Sequence, residues 1–268
     1  MLLTPILLAS VAAQAGEAAP PAAANAPTVE QRMAQASAIG AMLHAFDRAA
    51  WVSSDALTAA IAKDRLGALG GYVVEAADPQ ILRVTYYRGT AAEARAFFVA
   101  DVRDGKVVRQ DVLATPVALT DAQMVLARAR EIAARHAAER AYKPCTPLPF
   151  NTVVLPPRGA RPVAVYLLSA RQDADSYPVG GHYRVIVGPD GTVVTSRPYS
   201  VGCLNITRPK LPAGATPVGV TVNHLLDPAP TEIHVFTSYS MRMPVLVSTR
   251  EGRMWKVEGA RITPFDPK

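Results

Sequence analysis

A chain of 268 residues, half of them hydrophobic, is long enough for one large domain or two small ones and apolar enough to build a real core, which excludes wholesale disorder. Its formal net charge of +6 sits mainly in the second half: residues 16–143 hold 15 basic and 14 acidic side chains, residues 144–268 hold 13 and 8. With no Lys/Arg run and no interleaved aromatic platform, this surplus argues against a nucleic-acid partner and reads as a solubilising charge with mild attraction to anionic envelope surfaces.

Residues 1–15, MLLTPILLASVAAQA, form an uncharged apolar run that closes on Ala13-Gln14-Ala15, the A-x-A pattern of signal-peptide cleavage, with Gly16 as the new N-terminus. Only the α-amino group supplies the positive charge usual at the start of such a segment. The run is shorter than the ~20 residues a helix needs to cross a bilayer, so no stable membrane insertion is expected, and no cysteine lies near the cleavage point to carry a lipid. The expected destination is the periplasm or the medium. Residues 16–27, GEAAPPAAANAP, have no periodic apolar face and read as an Ala/Pro-rich linker.

From Thr28 the pattern is helical. Thr28-Val29-Glu30-Gln31 matches a capping box, and Val29, Met33, Ala36, Ile39, Leu43 and Phe46 recur at helical spacing, which predicts a helix ending near Phe46. A second, shorter helix is expected to start at Ser53 or Ser54 and to run through Leu57, Ile61 and Leu66 to Gly70-Gly71. The period then becomes that of strands. Tyr72–Glu75 and Ile81–Tyr87 flank a turn at Asp78-Pro79, and Ala96–Val102 and Lys106–Arg109 flank Arg103-Asp104-Gly105, giving two hairpins. Thr120-Asp121-Ala122-Gln123 opens a long helix to about Arg140, and Pro144 forbids its continuation, placing a boundary at 142–150.

Beyond that boundary strands dominate: Val163–Leu168, His182–Val187, Thr192–Thr195, Val220–Asn223, Ile233–Thr237, Val245–Ser248 and Met254–Val257. The expected fold class is therefore α+β, with N-terminal helices and hairpins over residues 28–142 and a mainly antiparallel, strand-rich half over 143–268. VADVRDGKVV, VIVGPDGTVV and VLVSTREGRMWKV echo one another, but a Gly-containing turn between β-branched runs is the commonest way to write a hairpin.

The two cysteines, Cys145 and Cys203, read as one structural disulfide in an exported protein. Closing the segment between them stabilises the fold by about 4 kcal/mol in the chain-entropy model. Among the five histidines, none forms H-E-x-x-H or another short ligand pair, so neither a metal nor any other cofactor is expected. His182 and Arg184 fall on the less apolar face of one expected strand and His234 on that of another, which makes His182, Arg184 and His234 the candidate ligand-binding residues. No G-x-S-x-G or S-x-x-K serine motif is present, and the calcium-like start Asp173-Ala174-Asp175 has Arg184 where a bidentate Glu belongs.

The segments Pro149–Pro157, Tyr177–Val185 and Pro230–Phe236 resemble those of a group of exported bacterial proteins with no assigned activity. The resemblance covers mainly residues 143–260, implies export, and carries no catalytic residue with it. Two functions follow as expectations. One is a non-enzymatic envelope module for binding, accessory or assembly work, whose partner is an envelope protein or a small ligand. The other is a periplasmic hydrolase with a site assembled around His182, Arg184 and His234.

Overall fold

The capping box at Thr28 forms as the sequence predicts: the Gln31 amide donates to the Thr28 hydroxyl and the Thr28 amide to the Gln31 side chain. The computed structural model describes residues 27–266 apart from 158, 160, 209–211, 213, 216 and 217, so the expected signal peptide and all of the linker but Pro27 lie outside the described residues. Helix α1 then runs unbroken over 32 residues, Val29–Ala60. The two helices expected on either side of residues 47–52 are one, because Asp47-Arg48-Ala49-Ala50-Trp51-Val52 contains no Gly or Pro to stop it. Ser53 caps nothing. It is buried inside the helix and donates its hydroxyl back to the Ala50 carbonyl, 3.0 Å away. Only a single turn, α2 (Lys63–Leu66), separates α1 from the first sheet.

That sheet is an antiparallel meander of β1 (Gly71–Asp78), β2 (Ile81–Arg88), β3 (Arg95–Arg103) and β4 (Lys106–Ala118). Asp104 and Gly105 both take positive φ at the β3–β4 turn, the conformation a two-residue hairpin requires. Helix α3 (Asp121–Glu139) carries the second capping box, Thr120 with Gln123. The second sheet is also antiparallel, in the order β5 (Asn151–Leu155), β6 (Val163–Leu168), β8 (Tyr183–Val187), β9 (Val193–Pro198). Between β6 and β8 the chain forms β7 (Ser176–Pro178), which pairs with β10 (Asn205–Thr207).

The C-terminal sheet corrects one expectation. It orders β11 (Val220–His224), β12 (Val245–Thr249), β13 (Met254–Glu258) and β14 (Arg261–Pro264), with β11 and β12 parallel. A parallel pair needs a crossover, and the segment read as a strand at Ile233–Thr237 supplies it as helix α4 (Glu232–Met241). Ile233, Val235, Thr237 and Ser238 are all buried there, so the helix shows little of the one-sided apolar pattern that separates a helix from a buried strand. The architecture as a whole is α+β with mainly antiparallel sheets, as expected.

Two cores hold the first two sheets together, and each draws on residues from both sides of position 142. Helix α1 packs Leu43, Phe46 and Leu57 against Tyr86 and Phe98 of the first sheet and Val153, Tyr166 and Leu168 of the second. Helix α3 packs Leu126, Ala129 and Ile132 against Val73 and Tyr87 of the first and Val165, Leu167 and Val185 of the second. Neighbouring residues such as Tyr86 and Tyr87 therefore serve opposite faces, as strand alternation dictates. Cys145 and Cys203 are disulfide-bonded, with Cα atoms 5.2 Å apart across 58 positions of sequence. Gly181, at positive φ, lies so close that a Cβ there would fall 2.6 Å from the Cys145 sulfur.

Candidate ligand-binding cleft

His182, Arg184 and His234 gather around the N-terminus of α4, and their polar groups are turned mainly toward neighbours within the fold. His182 is 1% exposed. Its Nδ1 accepts the Ser169 amide at 3.1 Å, and its Nε2 donates to the Pro178 carbonyl at 3.0 Å. Burial pushes its pKa down to about 4, so the ring is neutral at physiological pH. Arg184 donates to Glu232 at 3.2 Å, and the same carboxylate oxygen accepts the hydroxyls of Tyr166, at 2.9 Å, and Tyr199. His234, on α4, accepts the Thr231 amide on Nδ1 at 2.9 Å and stands edge to face with His224. Burial, followed by the charge of His224, lowers its pKa to about 3. His224 in turn bonds Asp227 at 2.8 Å, whose carboxylate also receives both terminal nitrogens of Arg197. Burial raises the Asp227 carboxyl, but the bonds from His224 and Arg197 outweigh it and hold the group well below the usual carboxylate range. This is a polar network that locks β8, β9 and the turn before α4 together.

An open cleft lies elsewhere, and none of these three residues lines it. It has a volume of about 1780 Å³ and one face of α1 as its wall: His44, Asp47, Arg48, Trp51 and Ser54, spaced so that helical periodicity aligns them. The β1–β2 and β3–β4 turns and the β6–β7 connection, with Arg171, enclose it together with the C-terminal part of α4, where Tyr239 and Arg242 stand. Its volume exceeds the roughly 300–1,000 Å³ of an ordinary small-molecule pocket. Trp51 is 52% exposed, with the Arg48 guanidinium over its ring at 5.3 Å. His44 stacks on Tyr239 with ring centroids 5.1 Å apart, which joins the α1 and α4 walls.

Asp47 sets the chemistry of this cleft. Its carboxylate, half-buried in the α1 wall and reached by solvent, makes no hydrogen bond to any described residue. Burial raises its pKa to about 6 against the opposing pull of Arg171 and Arg48. Arg48 and Arg242 likewise make no side-chain hydrogen bond among the described residues, and both lower the pKa of His44, beside which they stand, after the larger effect of burial. An unbonded carboxyl flanked by guanidiniums on an aromatic-lined wall is equipped to take up hydrogen-bond donors and anions.

The stripe was missed in the sequence because the reading ended the helix at Phe46. Continued to Ala60, the same 3.6-residue period places His44, Asp47, Arg48, Trp51 and Ser54 on one face. Comparison of the chain with protein-family models, with curated proteins and with solved structures found no match.

Proposed function

We propose that the protein is an exported, non-enzymatic binding module of the bacterial envelope that holds an extended ligand in the cleft between α1 and α4. The observation that carries this reading is Asp47, a half-buried carboxyl without a hydrogen-bond partner among the described residues, in the wall of a cleft of about 1780 Å³. Such a group is available to a ligand that enters the cleft. Export is supported by the apolar N-terminal run ending in Ala13-Gln14-Ala15 and by the Cys145–Cys203 disulfide, which fits an oxidising compartment. A hydrolase centred on His182, Arg184 and His234 has less support, because both ring nitrogens of His182 and the Nδ1 of His234 are engaged within the fold and Arg184 is paired with Glu232.

The test is a thermal-shift screen of the mature protein against soluble oligosaccharides and peptides of four to eight units. A ligand present at 100 times its Kd stabilises the folded state by about 2.7 kcal/mol. Binding reads out as a raised melting temperature that disappears in Trp51→Ala and persists in Val194→Ala, a change at an exposed residue outside the cleft. Chemical turnover of a bound chain that is lost in Asp47→Asn would make the cleft an active site instead.

A further inference from the structure

Resting on the reading of the cleft as a binding site, we infer that its ligand is a carboxylated oligosaccharide, whose carboxylates are taken by Arg48 and Arg242 and whose ring hydroxyls are taken by Asp47. Five cationic side chains line the cleft, Arg48, Lys106, Arg171, Arg208 and Arg242, against the acids Asp47, Asp78, Asp104 and Asp173. Two of the cations are already committed. Arg171 donates to the carbonyls of Ala174 and Ser176, and Arg208 donates to the Met241 carbonyl and the Tyr177 hydroxyl. Among the described residues nothing takes a hydrogen bond from the guanidinium of Arg48 or Arg242. The planar fork of a guanidinium matches a carboxylate with two parallel hydrogen bonds, so an anionic ligand satisfies them best.

Asp47 asks for the opposite chemistry one residue away on the same helix. Its raised pKa leaves it part-protonated near neutral pH, able to accept from a hydroxyl or to donate to one, and poorly suited to face a second carboxylate directly. Asp47 and Arg48 are adjacent on α1 and line the same cleft, so a ligand that carries both hydroxyls and carboxylates serves the two together. A uronic acid ring carries both on every unit. An acidic peptide presents its carboxylates on flexible stems, with a hydroxyl only where Ser, Thr or Tyr adjoins them. The half-exposed Trp51 ring at the same wall adds a flat apolar surface of the kind that the C–H face of a sugar covers. The cleft's volume of about 1780 Å³ leaves room for several linked rings rather than one.

Isothermal titration of the mature chain with tetragalacturonate, tetramannuronate, the neutral cellotetraose and hexaglutamate tests this. At least one uronate tetramer is expected to bind tenfold or more tightly than cellotetraose and hexaglutamate. Arg48→Gln and Arg242→Gln are each expected to weaken it fivefold or more without lowering the melting temperature. Arg242 is exposed, so its variant reports on binding even if Arg48→Gln disturbs the packing of Arg48 on Gly105. Equal binding of cellotetraose overturns the carboxylate requirement, and tighter binding of hexaglutamate overturns the sugar. In both cases the cleft survives as a binding site if Trp51→Ala abolishes the heat. Uronate binding that is indifferent to both arginine variants, or absent altogether, also overturns the inference, whereas the broader cleft reading falls only if the oligosaccharide and peptide screen finds no ligand either.

Discussion

The hydroxyl of Ser53 lies 3.0 Å from that of Tyr86, so a polar contact inside the main core pins the middle of α1 to β2. Tyr86 also reaches the Ala50 carbonyl at 2.9 Å, and burial pushes its pKa up to about 12. Removing the phenol oxygen leaves the Ser53 hydroxyl with only its own helix to bond. Tyr86→Phe is expected to destabilise the protein by about 1–2 kcal/mol, read as a lower urea midpoint at unchanged slope. Ser53→Ala, which leaves Tyr86 its bond to Ala50, should cost less.

Asp47 is expected to behave as a group that lowers stability for the sake of its site. Its folded-state pKa, about 6, lies above the 3.8 of an ordinary aspartate, so the folded protein holds its proton more tightly than the unfolded chain. The contribution is favourable below about pH 4 and is lost as pH rises through 6. Asp47→Asn should therefore raise the melting temperature at pH 7.5, by a gain on the order of 2 kcal/mol after allowance for the solvent reaching the cleft, and should leave it nearly unchanged at pH 4. Melting curves of the two proteins across that range give the answer. Equal melting temperatures at pH 7.5 would show that the carboxylate is comfortably solvated.

His182 has the opposite dependence. Its folded pKa of about 4 lies below the 6.5 of an ordinary histidine, so between those values the unfolded chain binds a proton that the folded protein refuses. Stability is complete above about pH 6.5 and falls as the solution is acidified toward pH 4, by up to about 3 kcal/mol for this group alone. His234, pushed down to about 3, adds to the same trend. Urea midpoints measured from pH 7.5 to 4.5 should decline, and the decline should be shallower in His182→Gln, a variant less stable at neutral pH because the Ser169 amide and the Pro178 carbonyl lose their present partner.

Cys145→Ala is expected to cost about 2–5 kcal/mol under oxidising conditions. In reductant the variant and the parent should unfold at nearly the same denaturant concentration, since the cross-link is then absent from both. A difference that persists in reductant would locate the effect in packing against Gly181.

The parts of this fold that were legible in the sequence are those written locally. Thr28 with Gln31 and Thr120 with Gln123 announce two helix starts within four residues each, and Asp104-Gly105 announces a turn by the backbone geometry it must adopt. The cysteine pair was legible by number alone. What failed was position-independent apolar composition. Ile233-His234-Val235-Phe236-Thr237 is β-branched and aromatic like a strand, and only its burial on several sides and the parallel pairing of β11 with β12 make it a helix. Strand alternation puts His182 and Arg184 on the less apolar face, but it does not show the network that absorbs them, which is built by Ser169, Pro178 and Glu232 from other segments. Asp47 carries no local mark at all: its environment comes from Arg171 and from segments that fold against α1 from elsewhere in the chain.

Gly40 fixes how closely the two helical walls of the cleft approach. A Cβ there would fall 2.4 Å from that of Val235 and 2.6 Å from the Glu232 carbonyl, so α1 and α4 come together with no room for a side chain, and the His44–Tyr239 stack joins them again one turn on. Arg48 stands eight residues past Gly40, about 12 Å along the α1 axis. A tilt of about 5° at the crossing therefore displaces it by about 1 Å, enough to make or break a hydrogen bond. Because Glu232 also anchors Tyr166, Tyr199 and Arg184, α4 is tied to the second sheet, and the close fit at Gly40 fixes the distance at which α1 and its cleft-lining residues stand from it.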